Sequence, residues 1–169
     1  MQISFTYAQE KDLSRIVKTY NSTIAEGEAT ADLKKVTIAS KLEWFHHHRP
    51  DTRPLWIVEA DGKYAGWLSF NSFYGRPAYN GTVEISIYLE ARFRGRGLGK
   101  KCLAFAIKES PKRQIHTLLG FIFAHNNASV ALFKQFKFKK YGHLPEVANM
   151  NGTMRDLLIM GRKVKAKLL

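Results

Sequence analysis

The chain has a single cysteine, Cys102, in 169 residues. That excludes an intramolecular disulfide and any cysteine-rich zinc site, and a lone thiol suits a reducing compartment. No apolar run approaches the roughly 20 residues needed to span a bilayer. Met1-Gln2-Ile3-Ser4-Phe5 lacks the charged start and apolar core of a signal peptide. The expectation is a cytoplasmic protein with no membrane segment. Acidic residues are also scarce, 14 against 27 lysines and arginines, for a net charge of +13. Such a surplus attracts polyanions, whether nucleic acid, acidic lipid or a phosphorylated cofactor. The cations are scattered from Lys34-Lys35 through Lys100-Lys101 and Lys139-Lys140 to Lys163. No stacked-aromatic motif accompanies them, so nucleic acid is not the expected partner.

Enough apolar residues are present, 45% of the chain, to close one sizeable core, and no linker, repeat or low-complexity segment divides it. One domain over residues 1–169 is expected. Ile3 and Phe5 alternate as in a short strand, and Leu13, Ile16, Val17, Tyr20 and Ile24 have helical spacing. Glu26 to Thr30 reads as a loop. A second helix is predicted from Thr37 to His48, stopped by Pro50. Trp56–Ala60 and Tyr64–Phe70 flank Asp61-Gly62, a strong hairpin signal. Thr82–Leu89 is the clearest strand, with Val83, Ile85, Ile87 and Leu89 on one face and Glu84, Ser86 and Tyr88 on the other. A helix at Leu98–Glu109, a strand at Leu118–Ala124 and a helix at Ala128–Phe136 follow. Short strands near Lys139–Gly142 and Arg155–Met160 end the chain. This order favours an α/β fold with a mixed sheet and helices on both faces.

Between the clearest strand and its helix lies Arg94-Gly95-Arg96-Gly97-Leu98-Gly99-Lys100. Free backbone N–H groups at a helix start point at an anion, and glycines let that anion come close. Arg94, Arg96, Lys100 and Lys101 add side-chain cations. A glycine-rich turn can also serve only to bend the chain. The P-loop is excluded because no Gly-Lys-Ser/Thr follows at the required spacing, and the dinucleotide fingerprint fails because Lys100 stands at its third glycine.

Arg94-x-x-Gly97-x-Gly99 resembles the acyl-CoA pyrophosphate loop of the GNAT N-acetyltransferase superfamily. Asn126-x-x-Ser129-x-x-Leu132-Phe133 is similar to its later helix motif. Thr82-Val83-Glu84 and Gly142-His143-Leu144-x-Glu146-Val147 resemble its phosphinothricin acetyltransferase-like branch. The resemblance spans nearly the whole chain. It implies a mostly antiparallel, twisted sheet whose central strand pair splays apart, and acetyl-CoA in the wedge. Ile87, Tyr88 and Leu89 would offer main-chain groups to the pantetheine arm, Gly95, Arg96, Gly97, Leu98, Gly99 and Lys100 with Arg94 would hold the pyrophosphate, and Asn126 would contact the cofactor further along. It also implies a homodimer acting on a small-molecule amine.

An amine attacks a thioester only when neutral, and an α-amino group with a pKa of about 7.7–8.0 is mostly protonated at pH 7. Glu84 matches the position of the family's general base. Arg76 and Tyr79 match positions lining the acceptor pocket, and an arginine fork suits a carboxylate such as an amino acid or its analogue presents. Phe133 stands where a proton-donating Tyr or His is common, so the thiolate leaves unaided or another hydroxyl such as Tyr88, Tyr79 or Tyr141 protonates it. Ile85 and the segment Ala148-Asn149-Met150-Asn151 also depart from the branch pattern. No metal is expected, because His46, His47 and His48 point about 100° apart on a helix. Cys102 reads as a core residue, which favours direct transfer. Polyamine or peptide acetylation, and an RNA- or ribosome-binding module with a vestigial CoA site, are the alternatives.

Overall fold

A computed structural model describes residues 1–165. Its elements are β1 (Ile3–Tyr7), α1 (Leu13–Ile24), α2 (Ile38–His47), β2 (Leu55–Ala60), β3 (Lys63–Ser72), β4 (Thr82–Leu89), α3 (Leu98–Glu109), β5 (Thr117–Phe123), α4 (Asn127–Gln135), β6 (Lys139–Met150) and β7 (Thr153–Lys163). The seven strands form one sheet in the order β1-β2-β3-β4-β5-β7-β6. Every neighbouring pair is antiparallel except β4 and β5. The Asp61-Gly62 turn between β2 and β3 has φ of 50° and 71°, the left-handed pair that a two-residue hairpin requires.

Period-two alternation decides what each face meets. Trp56, Val58, Leu68, Phe70, Val83 and Ile85 pack against Leu98, Cys102, Leu103 and Ala106 of α3 in the larger core. Ile57 and Trp67 turn to the other face, where Ile16 of α1 and Trp44 and Phe45 of α2 cover them. Each such fully buried aliphatic side chain contributes about 1.5–3 kcal/mol. α2 starts on a capping box, with the Thr37 hydroxyl accepting from the Ser40 N–H at 3.0 Å and the Ser40 hydroxyl accepting from the Thr37 N–H at 3.1 Å.

The terminal hairpin departs from the expectation of two short strands. β6 and β7 run 12 and 11 residues. They are joined at Asn151-Gly152, whose φ values of 53° and 93° make the tight turn. Pro145 is tolerated because β6 is an edge strand and the residue falls among its unpaired positions. The register slips between Leu144 and Ala148, and Asp156 pins the slip. Its carboxylate accepts from the Glu146 N–H at 2.9 Å and pairs with His143 Nε2 at 2.7 Å. These bonds hold the Asp156 carboxyl below the usual carboxylate range, the backbone donor being the larger cause.

Candidate active site

β4 and β5 pair only from Thr82 opposite Thr117 to Glu84 opposite Leu119, then diverge. Past that point the β5-facing edge of β4 has no strand partner, so its main-chain groups face a cavity. Gly120 sits at the fork. A Cβ there would lie 2.4 Å from the Phe133 ring, so the bare glycine lets Phe133 of α4 come down on the β5 backbone. The resulting wedge has a volume of about 630 Å³ and is lined by Glu84, Ile87, Tyr88, Leu89, Arg94, Gly99, Asn126, Ser129 and Phe133, among others.

The glycine loop closes one end of the wedge. Gly97 caps α3 in the left-handed region, φ 80° and ψ 2°, a conformation that costs an L-residue roughly 1–2 kcal/mol. The N–H groups of residues 95–100 donate to no protein acceptor among the described residues, as expected at a helix start. Leu98 is buried in the core, so only its backbone is available there. Gly95, Arg96, Gly97 and Lys100 are exposed beside the mouth, and Arg96, Lys100 and Lys101 form no salt bridge among the described residues. These donors and cations suit a diphosphate, and the open β4 edge suits an amide-bearing arm. The site therefore fits acetyl-CoA.

Loop residues 26–30, which carry no recognisable motif, strap this wedge from the α1 side. Arg94 donates through Nη1 to both Glu26 carboxylate oxygens at 2.8 and 2.7 Å and through Nε to the Leu89 carbonyl at 3.0 Å. His125 Nε2 donates to the Gly27 carbonyl at 3.1 Å, Asn126 Nδ2 to the Glu28 carbonyl at 3.2 Å, and the Tyr88 hydroxyl to the Ala29 carbonyl at 3.0 Å. Asn126 also caps α4, accepting from the Ser129 N–H at 3.0 Å. Arg94, Tyr88 and Asn126 thus serve both the wedge and the strap.

Glu84 lies on the helix α1 and α2 side of β4, half-buried, and burial pushes its carboxyl above the usual carboxylate range. It forms no ion pair among the described residues. It lines the wedge and also a second cavity of about 240 Å³, walled by Tyr20, Val36, Lys41, Trp44, Trp67, Asn71, Ser86 and Tyr88. Glu84, with Ser86 and Tyr88, therefore lines both the larger and the smaller cavity.

Arg76 and Tyr79, expected to line the acceptor pocket, border neither of these two cavities. Arg76 precedes a 3-10 turn started by Pro77, and Tyr79 packs on Phe73 and Tyr74. Tyr79 and Tyr141 are exposed outside both cavities. Of the three tyrosines weighed as proton donors, only Tyr88 reaches the wedge, with its hydroxyl spent on Ala29 and its pKa raised by burial. Cys102 is fully buried, its thiol pushed up to about 12 by burial. His46 pairs with Glu10 while His48 bonds the Arg53 carbonyl, so these two rings face different neighbours.

The acetyltransferase (GNAT) family pattern matches residues 14–138. The chain belongs to the GNAT acetyltransferase family. YwnH of Bacillus subtilis, which bears a provisional phosphinothricin acetyltransferase name, is 44% identical over 93% of this chain and 96% of its own length. The L-methionine sulfoximine/L-methionine sulfone acetyltransferase of Pseudomonas aeruginosa is 28% identical over 95% and 94%. The Salmonella typhimurium protein yncA, solved with its cofactor acetyl-CoA, superposes with a TM-score of 0.88 at 25% identity, covering 96% of this chain and 94% of that one. This GNAT protein is an N-acetyltransferase that uses acetyl-CoA.

Proposed function

We propose that the acceptor is a small primary amine carrying a carboxylate, an amino acid or an analogue such as methionine sulfoximine or phosphinothricin, acetylated by direct transfer. The observation that carries this reading is the place of Glu84, with Ser86 and Tyr88, on the wall common to the wedge and the 240 Å³ cavity. The names of the relatives support the acceptor class. Acetyl-CoA supplies the acyl group as a thioester. Arg94 and the N–H groups of residues 95–100 hold its diphosphate, the open edge at residues 87–89 aligns its arm, and Asn126 contacts it at the start of α4. Glu84 takes the ammonium proton, directly or through one water. Its raised pKa brings it nearer that of the amine, which improves the transfer. Phe133 has no proton to give, and a thiol pKa near 8.5 lets the thiolate depart unaided. The buried, high-pKa Cys102 outside both cavities supports transfer without a cysteine-bound intermediate. Its burial as the lone thiol also suits a cytoplasmic setting.

Free-thiol release from acetyl-CoA, followed across amino acids, methionine sulfoximine, phosphinothricin, polyamines and basic peptides, tests this. Turnover is expected with the carboxylate-bearing amines. Turnover confined to polyamines or peptides rejects the acceptor class.

We also propose a homodimer. Tyr141, Leu144, Val147 and Met154 are exposed on the terminal hairpin, and Val147 lines the wedge, so a second copy covering this apolar strip would also close the site. Light scattering at micromolar concentration is expected to return twice the 19.3 kDa chain mass. A monomer mass overturns the proposal.

A further inference from the structure

The smaller cavity presents charged side chains of both signs. Among the described residues lining it, Glu84 is the one acid and Lys41 the one base. Lys41 and Trp44 are three residues apart on α2 and so share a face. The Lys41 Nζ stands 5.0 Å from the Tyr20 ring centroid and 5.6 Å from that of Trp44. Those ring faces attract the ammonium and keep it in the cavity wall. The platform is itself fixed, since the Tyr20 hydroxyl donates to Asp32 Oδ2 at 2.6 Å and Asn21 clamps the Val36 backbone through two bonds of 2.9 Å. Lys41 forms no salt bridge among the described residues.

We propose that Lys41 binds the acceptor carboxylate and makes this enzyme selective for free α-amino acids over amines lacking that group. The proposal rests on the reading of Glu84 as base toward an amine in the small cavity. An α-amino acid carries its ammonium and carboxylate on one carbon, so a cavity with one anion and one cation on its wall complements it. The amine faces Glu84, the carboxylate faces Lys41, and Trp44, Trp67 and Tyr88 leave an aromatic-walled space for an unbranched side chain. Arg76 does not line this cavity.

The test compares L-methionine sulfone with its carboxamide as acceptors for the wild-type enzyme, Lys41→Met and Arg76→Ala. A charge-assisted contact is the difference between the two acceptors, so Lys41→Met is expected to lower the acid-over-amide preference in kcat/KM by about 10- to 100-fold. The loss falls on KM. Lys41→Gln, which keeps a polar end on the side chain, is expected to show the same loss, and circular dichroism with acetyl-CoA calorimetry reports that each variant is folded. Arg76→Ala is expected to keep the preference. A preference retained in both Lys41 variants, or lost in Arg76→Ala instead, overturns the assignment while leaving the amino-acid reading intact. A wild-type enzyme that acetylates polyamines and neither methionine derivative overturns both.

Discussion

Glu84→Gln is expected to cost turnover about 10²- to 10⁴-fold while making the protein more stable at neutral pH. The two effects share one cause. Burial raises the folded-state pKa of Glu84, and no ion pair among the described residues offsets it. A group whose pKa is higher folded than unfolded contributes its stability in full below the unfolded value, about 4.3, and loses it as pH rises through the folded value. The wild-type protein therefore carries an ionisation penalty at pH 7 that the neutral isostere lacks. Thermal unfolding should show the variant melting above wild type at pH 7, with the gap shrinking to nothing below about pH 4. Acetyl-CoA affinity by calorimetry should change little, because the base acts on the acceptor. Equal melting temperatures at both pH values would mean that the carboxyl is not desolvated. Unchanged turnover would remove Glu84 from the reaction.

This trade between stability and reactivity was legible in part from sequence. Alternation along Thr82–Leu89 placed Glu84 on the polar face with Ser86 and Tyr88, and the structure keeps that parity, with Val83 and Ile85 in the α3 core. The helix at Leu98–Glu109 coincides with α3, since a glycine turn and Pro111 bound it. What alternation cannot give is the second cavity. Lys41 and Trp44 read as ordinary members of an amphipathic helix, and only the docking of α2 beside α1 sets them around Tyr20 and Glu84.

Two other misses have local causes. Asn151-Gly152 is a hairpin signal of the same strength as Asp61-Gly62, and the strands it joins outrun the short ones expected because β6 carries Pro145 at a sheet edge, and edges are not visible in sequence. Gly120 was a further overlooked signal. A glycine in the middle of an apolar strand marks a close approach, here that of the Phe133 ring at the fork. Arg76 and Tyr79 match acceptor-lining positions by residue type, but a motif does not say where the turn at Pro77 sets them, and neither borders the two cavities.

Arg94→Ala is expected to damage both halves of the reaction, which a simple phosphate ligand would not do. In our proposal its guanidinium faces the cofactor diphosphate. Its Nη2 has no protein acceptor among the described residues, whereas Nη1 and Nε are committed to Glu26 and Leu89. Losing a charge-assisted phosphate contact should weaken acetyl-CoA by about 10- to 100-fold, the more so at low salt because the site is partly exposed. Losing the Glu26 anchor should loosen loop 26–30 and with it Thr30, which holds the Tyr20 platform of the acceptor cavity, so the acceptor KM should rise as well. Glu26→Gln separates the two roles. It removes the anchoring charge but frees Nη1 for the diphosphate, so acetyl-CoA should bind at least as tightly as in the wild type while the acceptor KM rises. Initial-rate kinetics with both substrates varied decide the matter. An Arg94→Ala enzyme with an unchanged acceptor KM would show that the strap is independent of the acceptor cavity. One with unchanged acetyl-CoA affinity would remove Arg94 from the diphosphate site.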